Sequence, residues 1–519
     1  MRSFLLIAFQ LLLLPVFAQI NYVTIDDKGN PNEPSVAIHP QNGKIISASN
    51  VDNFYTTSNL ITTKQKATSK YGVYGDPVLH YMDTTLFYTH LSKTKGKEYG
   101  DWFDRIVVQK IESISPWSET SYSVGYNNGK MQDKPWVSSD ISSKKHAGNL
   151  YVTWTEFDKY GSSDPNDFSR IRFSKLGKDS DSFSEAITIS DSTGNCLDGD
   201  NTLEGATTAI GPNGEIYAVW SGHDKIWFDK SVDGGLTWSK DRIIANQPNG
   251  WDMEMPYIGR ANGMPFIKCD KKRNILYMCW ADEKNDNADI WLKYSKNEGE
   301  TWSKRIQVSQ DYNVNHQYFP NLEIDPQSGT VFIAYYDQKY SDQNRFYDIS
   351  ISSYDISRKE PLSISTITRQ SIPLPGEKVF YGDYIDIDIK RDSLAVIYTT
   401  YYNQTVAVEL AVGNVTEFLT SKNDNREPFS LSEDNFSQTD SISYYLNITQ
   451  TGKIKTKLKV GSFPFRNIHA KTFRINDAFV NKDYLLFTVK KGKPYHLKYK
   501  IRSTPDKNKY HHSVRKKTQ

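Results

Sequence analysis

Short apolar runs alternate with turns rich in Gly, Asn and Asp along most of this chain. One clear stretch is Glu204–Ile210, the turn Gly211-Pro-Asn-Gly214, the run Glu215–Trp220, then His223-Asp224. Runs of about four to eight residues rich in Val, Ile, Tyr and Trp, bounded by turn residues, predict strands and not helices. The same grammar recurs at Glu33-Pro34 to Asp52, Asp76-Pro77 to His90, Asp133 to Asp158, Asn262 to Asp282, Gln317 to Asp337 and Gly382 to Tyr402. Each unit carries two strands and leaves room for two more. Repeated four-stranded units predict an all-β propeller with seven blades, six being the alternative count. The run Ile20–Ile25 precedes the first unit and is expected to complete the last sheet and close the ring.

A second repeat sits inside the fourth and fifth units. Ser231-Val-Asp233-Gly-Gly235-Leu-Thr237-Trp238 returns as Ser295-Lys-Asn297-Glu-Gly299-Glu-Thr301-Trp302. Asp233 and Asn297 are placed to accept backbone N–H groups in a tight turn. Gly235 and Gly299 accept positive φ without steric cost. Trp238 and Trp302 then restart a strand with a large apolar anchor. A structural role on the outer turns is expected for all eight of these positions.

Beyond about residue 415 the pattern changes. Residues 416–440 are polar and read as a linker. Strand-like runs resume over 441–503 and predict a small β-sandwich-like module. Residues 504–519 contain Lys507, Lys509, Arg515, Lys516 and Lys517 and read as a basic disordered tail. At the other end, Met1-Arg2 leads into the apolar run Phe4–Leu14 and then Ala18. This reads as a signal peptide over 1–18, cut after Ala18, too short to span a bilayer. Secretion to the periplasm or exterior follows as an expectation, with no transmembrane segment and a monomeric protein.

Composition refines the picture. Aromatic residues make up 13% of the 519, with 33 Tyr and 11 Trp, which suits strands. A net charge of +2 gives no field for nucleic acid. Of three cysteines, Cys279 lies in an apolar strand, so Cys196 and Cys269, near turns, are the better pair for the single bridge that can form.

Equivalent positions of a propeller converge on one mouth of its channel. The residues opening the units are Glu33, Asp76, Asp133, Glu204, Asn262, Gln317 and Asp383; those after the second strands are Asp52, His90, Glu156, His223, Asp282, Asp337 and Tyr402. Such a face is densely acidic. Crowded carboxylates raise one another's pKa, so one serves as an acid while another stays ionised, as glycoside hydrolysis needs. Candidate catalytic groups are therefore Asp76, Asp133, Glu156, Glu204 and Asp383. Arg105, Arg260 and Asp282 are candidates for substrate contacts, and Trp251 and Tyr257 for stacking on a sugar ring. No cofactor is required on this reading. Asp198 and Asp200, in Cys196-Leu-Asp198-Gly-Asp200, are candidates for a structural Ca²⁺ or for acid–base work.

The repeated turn resembles the Asp box, or BNR repeat, of the sialidase superfamily. With Tyr71-Gly-Val-Tyr-Gly-Asp76-Pro77, Gln132-Asp-Lys-Pro-Trp136, Thr153-Trp-Thr-Glu156-Phe-Asp158 and Phe380-Tyr-Gly-Asp383-Tyr384, residues 32–412 resemble exported sialidase-like propellers of Bacteroidetes-type bacteria. The resemblance implies a glycan-directed site at the mouth opposite the boxes, and makes Tyr384 a candidate nucleophile by its place in the last blade. The chain departs from the pattern where an Arg-Ile-Pro motif is expected; it has Asn32-Glu33-Pro34-Ser35. Two functions stay open: a propeller that binds glycans or cell-surface proteins, and a glycoside hydrolase using mouth carboxylates.

Overall fold

Seven antiparallel sheets, each drawn from neighbouring stretches of the chain, form a β-propeller. The computed structural model describes residues 20–420 except 97–101, 142, 144, 310–314, 340–344 and 359–360, and beyond them only the backbone of short strands between 441 and 515. Six blades have four strands, and the sixth carries an extra short one, Ile372–Pro373. The innermost strands are Ser35–Ile38, Val78–Met82, Met131–Ser139, Glu204–Ile210, Phe266–Asp270, Gln317–Ile324 and Asp386–Lys390. They fall in the seven units legible in the sequence.

Ring closure works as expected. Asn21–Asp26 pairs antiparallel with Thr405–Asn414 and becomes the outermost strand of the seventh blade. Val23 and Ile25 are buried there with Tyr55 of the first blade and Ile397 and Leu410 of the seventh. The two chain ends of the propeller are thereby fastened in one sheet.

The boxes join the third and fourth strands of blades four and five. Asp233 accepts hydrogen bonds from the Leu236 and Thr237 amides, both at 2.9 Å, and from the Thr237 hydroxyl at 2.6 Å. Against the opposing cost of burial, these bonds hold its carboxyl well below the ordinary range. Gly235, at φ +80°, approaches Phe173 of the preceding blade so closely that a Cβ would lie 2.4 Å from the ring. Trp238 meets the same Phe173 edge-on at 5.1 Å, and Trp302 meets Phe228 at 5.6 Å. Each box is thus a joint between adjacent blades. Ser231 is level with Ile216 and Ile210, whereas Glu204 is level with Ser221 at the other end of the sheet. The boxes therefore lie at the end of the propeller opposite Glu204.

One expectation is overturned. Cys196 and Cys269 are free, as is Cys279. Cys196 is buried with Met131 and Phe157, while Cys269 stands on the inner strand of blade five. Proximity to turns in sequence said nothing about proximity between blades.

The start of the expected linker is a short helix, Val415–Thr420, with Phe418 buried. Residues 1–19 and 421–440, and with them the proposed signal peptide and most of the linker, lie outside the described residues. In the C-terminal part, Ser441–Leu446 pairs with Tyr495–Lys500 and Gly452–Lys457 with Tyr484–Val489. Most of the rest of the strand-like region over 441–503 and most of the basic tail also lie outside them.

Candidate functional site

The inner strands enter the channel through an unusual backbone. Glu33, Asp76, Lys134 and Phe319 have φ of 48°, 51°, 47° and 49°, and each precedes a proline. Gly205 and Gly382 take positive φ at the matching places in blades four and seven. A left-handed conformation costs a non-glycine residue about 1–2 kcal/mol. The inner strands of blades three, four and six also bulge here, between Asp133 and Trp136, Glu204 and Thr207, and Tyr318 and Asn321. A bulge re-aims side chains. Three of the strained residues, Glu33, Asp76 and Lys134, carry charges into one cluster, and strain gathered at one place marks a candidate site.

The cluster contains six carboxyl groups, from Glu33, Asp76, Asp133, Asp198, Glu204 and Asp383, and the cations Lys134 and Arg260. Asp383 lies at its centre. It accepts from Lys134 Nζ at 2.6 Å and from Arg260 at 2.9 Å. Arg260 also reaches Asp198 at 3.2 Å. Asp198 accepts further bonds from Tyr160 Oη at 2.5 Å and Trp251 Nε1 at 2.8 Å. Glu33 accepts from Asn50 Nδ2, and Asn50 Oδ1 accepts from the Asp76 amide at 2.8 Å.

Glu204 differs from the others. It is fully buried, and neither carboxyl oxygen has a hydrogen-bond partner among the described residues. Burial, reinforced by the charge of Asp198, raises its pKa well above the usual range. Burial likewise raises Glu33, with Asp76 and Asp383 adding to it, and pushes Asp133 up to about 7. Asp198 moves the opposite way. Although burial opposes it, the charges of Arg260 and Lys134 and the bonds from Tyr160 and Trp251 hold it low. One site thus contains a carboxyl whose pKa is raised and one whose pKa is lowered.

The segment Trp251–Arg260 lies over this cluster. Trp251, Met253, Met255 and Ile258 are buried. The Trp251 ring sits 5.9 Å from Lys134 Nζ and so close to Gly205 that a Cβ there would lie 2.7 Å from it, which fixes glycine at that bulge. Asp200 ties the segment down by accepting from the Trp251 and Asp252 amides.

The sequence-derived candidates divide accordingly. Asp76, Asp133, Glu204, Asp383, Tyr384, Arg260, Trp251 and Asp198 come together. Tyr384 is buried, and burial with the nearby Asp76 and Glu33 raises its phenol far above the ordinary value, the opposite of what a nucleophile needs. Trp251 is enclosed and offers no open face for a sugar. The groups after the second strands sit one strand further from the axis, bound within their own blades. Glu156 accepts from Arg170 at 3.0 Å, and Asp282 from Arg305 at 3.1 Å. Arg105 pairs with Asp104 at 2.8 Å and lies 4.4 Å over the Tyr126 ring, and Tyr257 lies under Arg345. Asp200 holds backbone amides, as described above. Among the described residues no group of three or more His, Cys, Asp or Glu side chains is arranged to hold a metal ion.

Lys134 and Tyr160 were not singled out in the sequence, and Glu33 was named there only as a residue opening its unit. The signal for Lys134 and Glu33 was a charged residue directly before a proline at the opening of a unit.

No family model matches the chain, and no curated protein does. Among solved structures it is similar to an α-L-arabinanase of Penicillium chrysogenum bound to arabinobiose (12% identity, 76% of this chain, 98% of that one, TM-score 0.41). It is also similar to the Hadza microbial sialidase Hz136 (12%, 72% and 74%, TM-score 0.41). A third is an α-L-arabinofuranosidase of Fusarium graminearum bound to arabinobiose (10%, 77% and 98%, TM-score 0.42). No helix of the described residues is long and apolar enough to cross a membrane.

Proposed function

We propose that the acidic end of the channel binds a glycan and cleaves a glycosidic bond in it, with Glu204 as proton donor. The observation that carries this reading is the contrast between Glu204, buried without a hydrogen-bond partner among the described residues so that its pKa is raised, and Asp198, ion-paired with Arg260 and hydrogen-bonded by Tyr160 and Trp251 so that its pKa is lowered. Glycoside cleavage needs that contrast: an acid that protonates the leaving oxygen and an ionised group that stabilises the oxocarbenium-like transition state. In this scheme Glu204 gives its proton to the leaving oxygen as the glycosidic bond breaks, and Asp198, oriented by Tyr160, Trp251 and Arg260, supplies the negative charge that stabilises the sugar cation; a water molecule then adds to the anomeric carbon and its proton returns to Glu204. Asp133 and Asp76 complete the acidic surround. The protein is taken to act outside the cytoplasm, following its signal-like first 18 residues.

Sialic acid is disfavoured as the substrate. Its carboxylate needs free cations, and both Lys134 and Arg260 are already paired with Asp383. A binding-only reading draws on a different observation, the burial of Trp251 and its neighbours over the cluster.

The test is release of reducing sugar from a panel of polysaccharides and oligosaccharides by the native chain and by Glu204→Gln. Release by the native chain, lost in the folded variant, supports cleavage. Binding without release anywhere in the panel supports the binding-only reading.

A further inference from the structure

Arg260 differs from the other charges of the cluster in how it arrives. Lys134 is delivered by an inner strand and its side chain is 3% exposed, whereas Arg260 comes from the covering segment and is 34% exposed. Lys134 cannot leave without rebuilding the bulge at Asp133–Trp136. Arg260 is not held by an inner strand and reaches the cluster from its solvent side.

Removing Arg260 has a definite electrostatic consequence. Asp383 would then keep only Lys134, and Asp198 would lose its ion-pair partner. A neutral ligand in that place leaves the loss uncompensated, which is unfavourable for Asp198, a carboxylate largely held away from water. An anionic ligand makes it worse. A ligand bearing an ammonium group restores the balance and brings three N–H donors. Groups to accept them are at hand: the Glu204 carboxyl and Asp383 Oδ1 are buried without hydrogen-bond partners among the described residues.

We propose that the cluster takes a protonated amine of its ligand in the place of Arg260, and that the ligand is a glycan containing free amino sugars. The guanidinium of Arg260 is then an internal stand-in for that amine, holding the cluster neutralised until the ligand displaces it. The sugar part of this proposal rests on the glycan reading of the mouth; the charge of the ligand rests on the ion balance.

The experiment is calorimetric titration of the full chain with a fully deacetylated glucosamine tetramer, its N-acetylated counterpart and a uronic-acid tetramer, at about pH 6, where amines are charged. The deacetylated tetramer is expected to bind at least about tenfold more tightly than the other two. Arg260→Ala, which removes the internal competitor, is expected to tighten its binding further, and Glu204→Gln to weaken it. Equal binding of the acetylated and deacetylated tetramers, preference for the uronic acid, or no binding to either the native chain or a folded Arg260→Ala variant overturns the proposal. Binding of the amine without bond cleavage leaves this inference standing and sinks the hydrolase reading. Cleavage of neutral glycans with no preference for amines does the reverse.

Discussion

Arg260 donates to Asp383 at 2.9 Å while Lys134 holds the same carboxylate at 2.6 Å. These bonds tie the loop over the mouth to the inner strands of blades three and seven. Asp383→Asn leaves Lys134 buried without its full countercharge, and losing one partner of a buried pair costs about 3–5 kcal/mol. Arg260→Ala leaves the Lys134–Asp383 pair in place and removes a partly exposed group, so its cost is expected near 1 kcal/mol. Chemical denaturation of the two variants checks the order; an Arg260 variant less stable than the Asp383 variant would contradict it.

The closing strand is expected to be essential. Val23→Ala and Ile25→Ala remove buried groups between the first and seventh blades, and substitutions of this kind cost about 1–4 kcal/mol each. Deleting residues 19–26 opens the ring and should abolish a cooperative melt. Circular dichroism on heating reads both effects, and a deletion that melts like the native chain would show that the ring closes without this strand.

The boxes should affect stability and leave the mouth alone. Asp233→Ala removes several hydrogen bonds at one turn and should cost about 1–2 kcal/mol. Asp233 has a lowered folded pKa, so its contribution is present above the unfolded value near 4 and lost as pH falls below it. The stability gap between native and Asp233→Ala should therefore narrow in acid. Ligand binding by the variant should match the native chain.

Asp133 carries the opposite sign. Its folded pKa is about 7, above the unfolded value near 4, so the folded state holds the extra proton between them. Stability contributed by this group is full below about pH 4 and declines as pH rises toward 7. Asp133→Asn mimics the protonated form and should gain stability relative to the native chain across that window. Melting curves at about pH 4 and pH 7.5 measure it, and a difference independent of pH would refute the assignment.

Much of the architecture was legible because a propeller repeats. Glu204–Ile210 and its six counterparts announced the blade count, and Ser231–Trp238 with Ser295–Trp302 gave their phase. The site was legible in part. Asp76, Asp133, Glu204 and Asp383 open their units and do converge. Glu156 and Asp282 occupy the same end of the sheet yet lie one strand outward, a radial difference that repeat position does not encode. Lys134 was hidden because its role depends on a bulge and a positive φ, visible only as Lys134-Pro135. The enclosure of Trp251 depends on a loop fold that no local pattern specifies.

The proposed role of Glu204 is to donate the proton to the leaving group. It is tested most directly by comparing native chain and Glu204→Gln on two substrates: the natural glycan, whose leaving group needs protonation, and an aryl glycoside of the same sugar, whose leaving group does not. The variant is expected to lose about 10²–10⁴-fold of the rate on the glycan and little on the aryl glycoside. Equal losses on both, or no loss on the glycan, would contradict it.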